Sequence, residues 1–432
     1  MNNFLYLLII ACFLISCSLN KNSKFWTSTK KIKEDSNFKK ILKKNEVLEK
    51  NFNSNLKIKI DGKPKDNLLD SYFRNNDGRI NFDKNLKKVS KYRFSKLKNF
   101  NQYEPILSFH KENIIFFDNK GTILNFNKNS KIVWKKNYYS KFEKKLNPIL
   151  QFSNNNRFLI VADNIAKYYL INLETGDLIW QKDNLAPFNS QIKIYKDKFF
   201  IIDFSNTLRC FSLKNGEEIW NIQTENSLIR SQKKLSMVIN NDKIFFINSI
   251  GDITAVNIDN GELIWQLPTQ NTSIYESAFT LKNSDLVLDK ENLFFSNNKN
   301  EIFSIDPNSG NFNWKNNINS SLRPTIVGNL LITISSEGYL FFVDKISGNI
   351  LKITDVFGIF KKKTRSKIYP TGFVLGLNKI YLSTNIGRLL IIDVISGEII
   401  KSMKIDNEEI SRPFLNNDNF FLIKDNAIIK LD

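Results

Sequence analysis

Asn260-Gly261-Glu262-Leu263-Ile264-Trp265-Gln266 is the stretch that decides the fold, because variants of it recur along the chain. Copies with both Gly and Trp occupy residues 175–180, 215–220 and 309–314. The copy at 130–134 has no Gly, and the copies at 347–352 and 396–401 have no Trp. The six glycines are separated by 40, 45, 49, 38 and 49 residues. This period indicates an array of similar supersecondary units.

Four strand-like runs make up each unit. A first apolar run begins eight times, at 105–107, 148–150, 191–194, 235–239, 286–288, 324–327, 372–375 and 413–415. A second apolar run, a turn, an alternating third run and the Gly turn with its Trp-bearing fourth run follow. Short strands with regular turn residues are typical of all-β proteins. The pattern therefore predicts an eight-bladed β-propeller of four-stranded antiparallel blades.

The repeated Gly and Trp have structural explanations. Gly after Asn or Ser supplies the positive φ that a tight turn requires. A Trp side chain is large and apolar and has one N–H to satisfy. We therefore expect the tryptophans of the repeat to lie between neighbouring blades and to be structural rather than ligand-binding: Trp134, Trp180, Trp220, Trp265 and Trp314.

The eighth unit is incomplete, because the chain ends after its third strand-like run, 427–431. The run at 89–94, which contains Tyr92 and precedes the first unit, is the best candidate for the missing strand. Such a closure would remove the free sheet edge of an open ring. The propeller is accordingly expected over residues 85–432.

The N-terminal residues predict an exported lipoprotein. Residues 3–16 form an apolar run of signal-peptide length. It ends in Leu14-Ile15-Ser16-Cys17, which resembles a bacterial lipobox in which the Cys is acylated. We expect a signal peptide at 1–16 and a lipid-anchored tether at 17–84, with a short helix at 41–48 and a strand at 56–60. An ordinary secretory signal with an unrelated Cys is the alternative.

Composition limits the function classes. The formal net charge is +20, with 63 Lys and Arg against 43 Asp and Glu. The excess is concentrated in residues 18–100, whereas a nucleic-acid binder would place it on the folded surface. An AT-rich genome is an alternative explanation for the lysines. Three cysteines and the single histidine, His110, leave no disulfide framework and no histidine-based metal site.

The repeat unit resembles the PQQ-type propeller repeat, and with the lipobox the chain resembles the BamB family of outer-membrane assembly factors. The resemblance implies a non-catalytic scaffold without cofactor or metal, held at the periplasmic face of the outer membrane. It implies binding to the periplasmic domains of BamA and assistance in β-barrel insertion.

The same repeat occurs in PQQ-dependent dehydrogenases, which hold PQQ and Ca²⁺ in the channel, so a periplasmic quinoprotein is the alternative function. That chemistry needs a catalytic Asp, oxygen ligands for Ca²⁺ and, in many members, a pair of adjacent cysteines. This chain has no such Cys pair. Four strand-end carboxylates are the candidates for the channel, although nothing in the sequence groups them: Asp118, Asp163, Asp203 and Asp344. A propeller that binds some other partner is the third alternative.

For the partner surface, the family uses an aliphatic-aliphatic-Arg loop before the fourth blade. Leu228, Ile229 and Arg230 occupy the matching place. Arg is enriched in interface hot spots, which favours a protein contact. The alternative is an ordinary loop that packs its aliphatic side chains under the next blade. The family's acidic positions in the following loop correspond less clearly to Ser284 and Asp285.

Overall fold

The computed structural model describes residues 51–65, 69–98, 100, 104–225, 233–269, 281–416 and 418–432. Eight four-stranded sheets contain all the named strands of these residues. Blade 1 contains β2 (Ser108–His110), β3 (Asn113–Phe117), β4 (Ile123–Phe126) and β5 (Ile132–Lys136), and blade 2 contains β6 (Leu150–Asn154), β7 (Phe158–Asp163), β8 (Lys167–Asn172) and β9 (Leu178–Asp183). Blade 3 contains β10 (Lys193–Tyr195), β11 (Lys198–Ile202), β12 (Thr207–Ser212) and β13 (Glu218–Gln223). Blade 4 contains β14 (Met237–Asn240), β15 (Lys243–Ile247), β16 (Ile253–Asn257) and β17 (Leu263–Leu267).

The remaining blades continue the same order. Blade 5 contains β18 (Val287–Leu288), β19 (Leu293–Asn297), β20 (Glu301–Ile305) and β21 (Phe312–Asn316), and blade 6 contains β22 (Thr325–Val327), β23 (Leu330–Ile334), β24 (Tyr339–Asp344) and β25 (Ile350–Asp355). Blade 7 contains β26 (Pro370–Leu375), β27 (Lys379–Thr384), β28 (Arg388–Asp393) and β29 (Ile399–Lys404). Blade 8 contains β30 (Phe414–Asn416), β31 (Asn419–Lys424), β32 (Ala427–Leu431) and, as its fourth strand, β1 (Lys88–Arg93). The predicted eight-bladed propeller is confirmed.

Burial follows the position of each strand in its blade. The second and third strands are buried on both faces, as in β23, whereas fourth strands such as β13 alternate between exposed and half-buried residues. First strands of neighbouring blades approach one another, as β14 and β18 do, and line the central channel. The hydrophobic core thus lies between the sheets, where each blade covers the apolar face of the next.

The ring closes through the N-terminal strand, as the incomplete eighth unit predicted. β1 pairs antiparallel with β32, with Tyr92 opposite Ile428. Tyr92 is buried between Phe126 of blade 1 and Phe421 of blade 8. Its hydroxyl donates to the carbonyl of Lys128, 3.3 Å away, in the third-to-fourth-strand turn of blade 1. One residue therefore joins the first and last blades.

Helices are few and short. In the described ranges of the chain they are α1 (Leu69–Arg74), α2 (Lys362–Arg365) and a 3₁₀ turn, Glu143–Leu146. Within the described part of the chain, none of the helices has both the length and the apolar character needed to cross a bilayer.

The expected tether requires a correction over its second half. The described residues between 51 and 84 lie against the propeller, and the compact unit runs from Glu49 to Asp432. Ile58 and Phe82 are buried in its core. Residues 56–60 do not form the expected strand, because only single backbone contacts join this stretch to the blades, such as Ile58 N–H to the carbonyl of Ile395 at 3.2 Å. Residues 1–50, with the expected signal peptide and the helix at 41–48, lie outside the described residues.

Candidate functional site

The two ends of the propeller differ in their connections. In every antiparallel blade, the first-to-second and third-to-fourth turns lie at one end, here called the turn face. The second-to-third turns and the loops between blades lie at the other end, here called the interblade face. The Gly turns of the repeat are therefore on the turn face. The predicted partner loop, between β13 and β14, belongs to the interblade face.

Each tryptophan of the repeat lies on the Gly turn of the next blade. Gly176 shows why Gly is needed there: φ is +73°, and an added Cβ would lie 2.7 Å from the Trp134 ring. Four of the five indole N–H groups donate to the carbonyl three residues before the next blade's glycine. The pairs are Trp134–Leu173 (3.3 Å), Trp180–Leu213 (3.1 Å), Trp265–Pro307 (3.1 Å) and Trp314–Lys345 (2.9 Å). These tryptophans bind neighbouring blades together.

The central channel is occupied by the chain's own N-terminal segment. Residues 72–80, here called the plug, contact the inner strands of blades 2 to 7 or the residues just before them, and also Arg412 before blade 8. The Tyr72 hydroxyl donates to the carbonyl of Ile192 at 3.0 Å. At the other end of the plug, the Ile80 N–H donates to the carbonyl of Leu375 in blade 7, also at 3.0 Å.

Asn75 lies at the centre of the plug and is 2% exposed. Its side-chain amide donates to the Gln191 side chain at 3.0 Å, to the Met237 carbonyl at 3.2 Å and to the Leu286 carbonyl at 3.0 Å. Its amide oxygen accepts from the Lys193 ammonium at 2.7 Å. Asn75 thus satisfies buried polar groups of blades 3, 4 and 5, which would otherwise destabilise the channel wall.

PQQ and Ca²⁺ do not fit this channel. The polar groups of blades 3 to 5 that face its centre are already bonded to Asn75. Lys193 points at the same place, and burial lowers its pKa to about 7. A calcium site requires several oxygen ligands, often carboxylates. No group of three or more Asp, Glu, His or Cys residues suited to a metal occurs among the described residues.

The four strand-end carboxylates, which could have faced the channel, are instead bonded within their own turns. Each accepts backbone N–H groups of its own turn: Asp118 from Thr122, Asp163 from Lys167, Asp203 from Thr207, and Asp344 from Ser347. Short Asp side chains commonly bond to the backbone one to four residues ahead and so stabilise turns. Their recurrence at strand ends reflects turn formation.

A cluster of charges surrounds the channel mouth at the interblade face. Five cations meet three carboxylates: Lys193, Lys233, Lys234, Arg323, Arg412, Asp77, Glu104 and Asp285. Arg323 donates to Asp285 at 2.7 Å, and its guanidinium lies 3.6 Å from Asp77 at the tip of the plug. Arg412 donates to Asp77 at 2.5 Å. The plug therefore supplies a carboxylate to both arginines.

Lysines from the end of the predicted partner loop complete the cluster. The Lys233 ammonium lies 3.2 Å from the Glu104 carboxylate, and Lys234 donates to the Glu104 carbonyl at 2.7 Å. Burial, only partly offset by Glu104 and Asp285, lowers the pKa of Lys234 to about 8. Burial also opposes ionisation of Asp285, but Arg323, Lys233 and Lys234 outweigh it and hold the pKa of that carboxyl below its usual range. The mouth is a positively charged surface with a buried ionic base.

The residues predicted for the partner surface are only partly described. Leu228, Ile229 and Arg230 lie outside the described residues, as does Cys17. Lys233, three residues after Arg230, donates to the Asn283 carbonyl, next to Ser284 and Asp285. The described residue that follows the first predicted loop, Lys233, therefore contacts the second predicted loop at the channel mouth.

Sequence reasoning missed the plug and the two arginines of the cluster. Arg323 and Arg412 each precede a proline at the start of a first strand, in blades 6 and 8. That repeated Arg-Pro pair is a signal from which they could have been found. Asp77, in Asn75-Asn76-Asp77-Gly78, looks like an ordinary turn in the sequence. Its role depends on contacts with residues far along the chain.

Comparison with known proteins gives one family and several structures of the same propeller fold. A family model described as outer membrane protein assembly factor BamB matches residues 119–354, more than half of the chain. A comparison with curated protein sequences gives no match. The chain is similar to the crystal structure of BamB from Moraxella catarrhalis, with a TM-score of 0.64 and 14% identity over 81% of this chain and 100% of that one.

Propellers of other functions are similar as well. Quinohemoprotein alcohol dehydrogenase from Comamonas testosteroni has a TM-score of 0.60 at 8% identity, over 82% of this chain and 78% of that one. The C-terminal WD40 domain of Sif2 has a TM-score of 0.58 at 12% identity, over 81% of this chain and 99% of that one. At such identities the structural likeness establishes the fold alone.

Proposed function

Because the chain belongs to the BamB family of outer membrane protein assembly factors, we propose that it is a non-catalytic scaffold of the β-barrel assembly machinery. In this proposal it is anchored through a lipid on Cys17 at the periplasmic face of the outer membrane. It binds the periplasmic domains of BamA and assists the insertion of β-barrel proteins.

The observation that carries the proposal is the division of the molecule into a filled channel and a charged mouth. The plug occupies the space in the channel that a cofactor would take. Function is therefore expected at the outer surfaces of the propeller. At the mouth, the end of the loop before blade 4 meets the loop before blade 5 through Lys233 and Asn283. Arginine is enriched in protein interfaces, which favours the mouth as a protein contact.

The partner surface is tested by capture of the purified periplasmic region of BamA from the same organism. We expect Leu228→Asp with Arg230→Glu to weaken capture at least tenfold, because it removes an apolar contact and reverses a charge. Asn215→Asp with Lys214→Glu, on the exposed turn face, is the matched control and should bind like the wild type. Equal capture by the loop variant and the control would exclude the loop from the interface.

Membrane anchoring is tested separately through Cys17→Ala. Without the thiol no lipid can be attached, so the variant should leave the membrane fraction and stay unprocessed by the lipoprotein peptidase. Normal membrane retention of this variant would contradict the lipid anchor. Such a result would not affect the partner surface, which the capture experiment tests separately.

The absence of turnover is the third part of the proposal. Asn75 and Lys193 fill the channel centre with satisfied hydrogen bonds, and the quinoprotein alternative needs that space. We expect no dye-linked dehydrogenase activity after incubation with PQQ and Ca²⁺. Alcohol-dependent dye reduction by the purified protein would favour the quinoprotein instead.

A further inference from the structure

Two lysine-rich loops on the interblade face carry exposed apolar side chains. The first joins blades 6 and 7 and contains Ile359, which is 57% exposed. Lys361, Lys362 and Lys363 follow it, and all three are exposed. None of the three has a carboxylate within ion-pair distance among the described residues, whereas Arg365 of the same loop is paired with Asp355 at 2.7 Å.

The second loop joins blades 1 and 2 and has the same composition. Phe142 is 71% exposed and Leu146 is 47% exposed. Lys141 and Lys145 stand beside them and are exposed as well. The loops are three blade positions apart around the ring, on the side that passes through blade 8. They also lie outside the connections between blades 3 and 6, which contribute Lys233, Asn283 and Arg323.

The described chain begins beside the first of these loops. The Asn51 side chain accepts from the Asp355 N–H at 2.8 Å, and Phe52 pairs with Ile353 at the outer edge of blade 6. The preceding segment, 18–50, is itself rich in lysine and leads back to Cys17. The proposed lipid anchor is therefore connected to the propeller at the rim that carries Ile359 and its lysines.

From these positions we infer that the two loops dock the propeller on an anionic phospholipid surface. Exposed apolar tips enter the headgroup region, and unpaired lysines are attracted to anionic lipids. Two separated loops on one face suit a flat surface better than a narrow protein groove. The anchor at Cys17 belongs to the proposed function, but the loops would bind lipid without it.

The test uses local fluorescence on the full-length chain with Cys12→Ser and Cys17→Ala. An environment-sensitive dye is placed at Ile359→Cys, at Phe142→Cys or, as a turn-face control, at Asn260→Cys; Cys210 is buried and escapes labelling. Vesicles of equimolar phosphatidylglycerol and phosphatidylcholine should shift the emission at both loop positions. Neither the control position nor pure phosphatidylcholine vesicles should give the shift, and high salt should remove it.

Charge variants measure how much the lysines contribute to lipid binding. Attraction of about 1 kcal/mol per lysine predicts that Lys361→Gln, Lys362→Gln and Lys363→Gln together raise the half-saturating lipid concentration on the order of 100-fold. The matched control removes three exposed turn-face lysines, Lys131, Lys214 and Lys290, and should change it less than threefold. No shift at Ile359 or Phe142 on anionic vesicles would overturn the inference, and such a result would favour an acidic protein as the occupant. An equal effect of both triple variants would also overturn it.

Discussion

The Lys352 ammonium donates a hydrogen bond of 2.8 Å to the carbonyl of Leu56, at the place where five other blades have a tryptophan. Lys352 is four residues after Gly348, as Trp265 is after Gly261. It is 1% exposed and also donates to the carbonyls of Ser54 at 3.0 Å and Ser396 at 2.6 Å. The N-terminal segment thus completes the contact between blades 6 and 7, where the repeat has lost its Trp.

This arrangement predicts that Lys352→Met destabilises the protein by about 2 kcal/mol. The methionine keeps the apolar stem but leaves three carbonyls without their donor, and an unsatisfied buried polar group costs about 1–3 kcal/mol. Urea unfolding measures the loss. Lys401 has the same repeat position in blade 7 but is exposed, so Lys401→Met should change stability by less than about 0.5 kcal/mol. Equal effects of the two variants would contradict the bridging role of Lys352.

The Gly turns predict opposite effects for two substitutions. Gly261 has φ +76°, and an added Cβ would lie 2.5 Å from the Trp220 ring. Gly261→Ala should therefore destabilise by more than the roughly 1 kcal/mol of backbone strain alone. Ser130 occupies the equivalent position in blade 1 with φ 61°, so Ser130→Gly should stabilise by about 0.5–1 kcal/mol. Thermal unfolding of both variants checks the signs. A destabilised Ser130→Gly would show that its turn is not under strain.

The plug predicts a third effect on stability. Asn75→Ala removes the donor to Gln191, Met237 and Leu286, and it should cost about 3 kcal/mol because several buried acceptors lose their partner. Hydrogen exchange should rise in the first strands of blades 3 to 5, measured by mass spectrometry. Asn407→Ala, in an exposed loop before blade 8, is the control. If exchange stays unchanged in Asn75→Ala, the plug does not hold those blades together.

The repeat made the propeller predictable, because each unit encodes the same local features. Gly at a positive φ, Trp four residues later and four apolar runs recur at a readable period. The closing strand followed from counting runs. The plug had no such signal, because Asn75 contacts residues more than 100 positions away that share no pattern with it. For the same reason, the sequence shows that blade 6 has no Trp at this position but does not show that the N-terminal segment replaces the contact.

The ionic base of the channel mouth predicts a loss of stability in acid. Burial opposes ionisation of Asp285, but Arg323 and the neighbouring lysines outweigh it, so the pKa of Asp285 is lower in the folded protein than in the unfolded chain. A carboxyl with a depressed folded pKa stabilises the fold above its unfolded pKa of about 3.9. That contribution is lost as pH falls from about 4 towards the folded pKa.

Asp285→Asn isolates this contribution. At pH 7 the variant should be less stable than the wild type by about 3 kcal/mol, because the Arg323 guanidinium loses its buried partner. The difference should hold at pH 5 and shrink between pH 4 and pH 2, because the unfolded wild-type chain then takes up a proton on Asp285 while the folded protein keeps this carboxyl ionised. Unfolding curves at these pH values measure the difference. Asp259→Asn, which removes an exposed partner of Lys198 at 3.3 Å, should cost less than about 1 kcal/mol. A difference for Asp285→Asn that stays constant down to pH 2 would show that this carboxyl is not held ionised by the arginine.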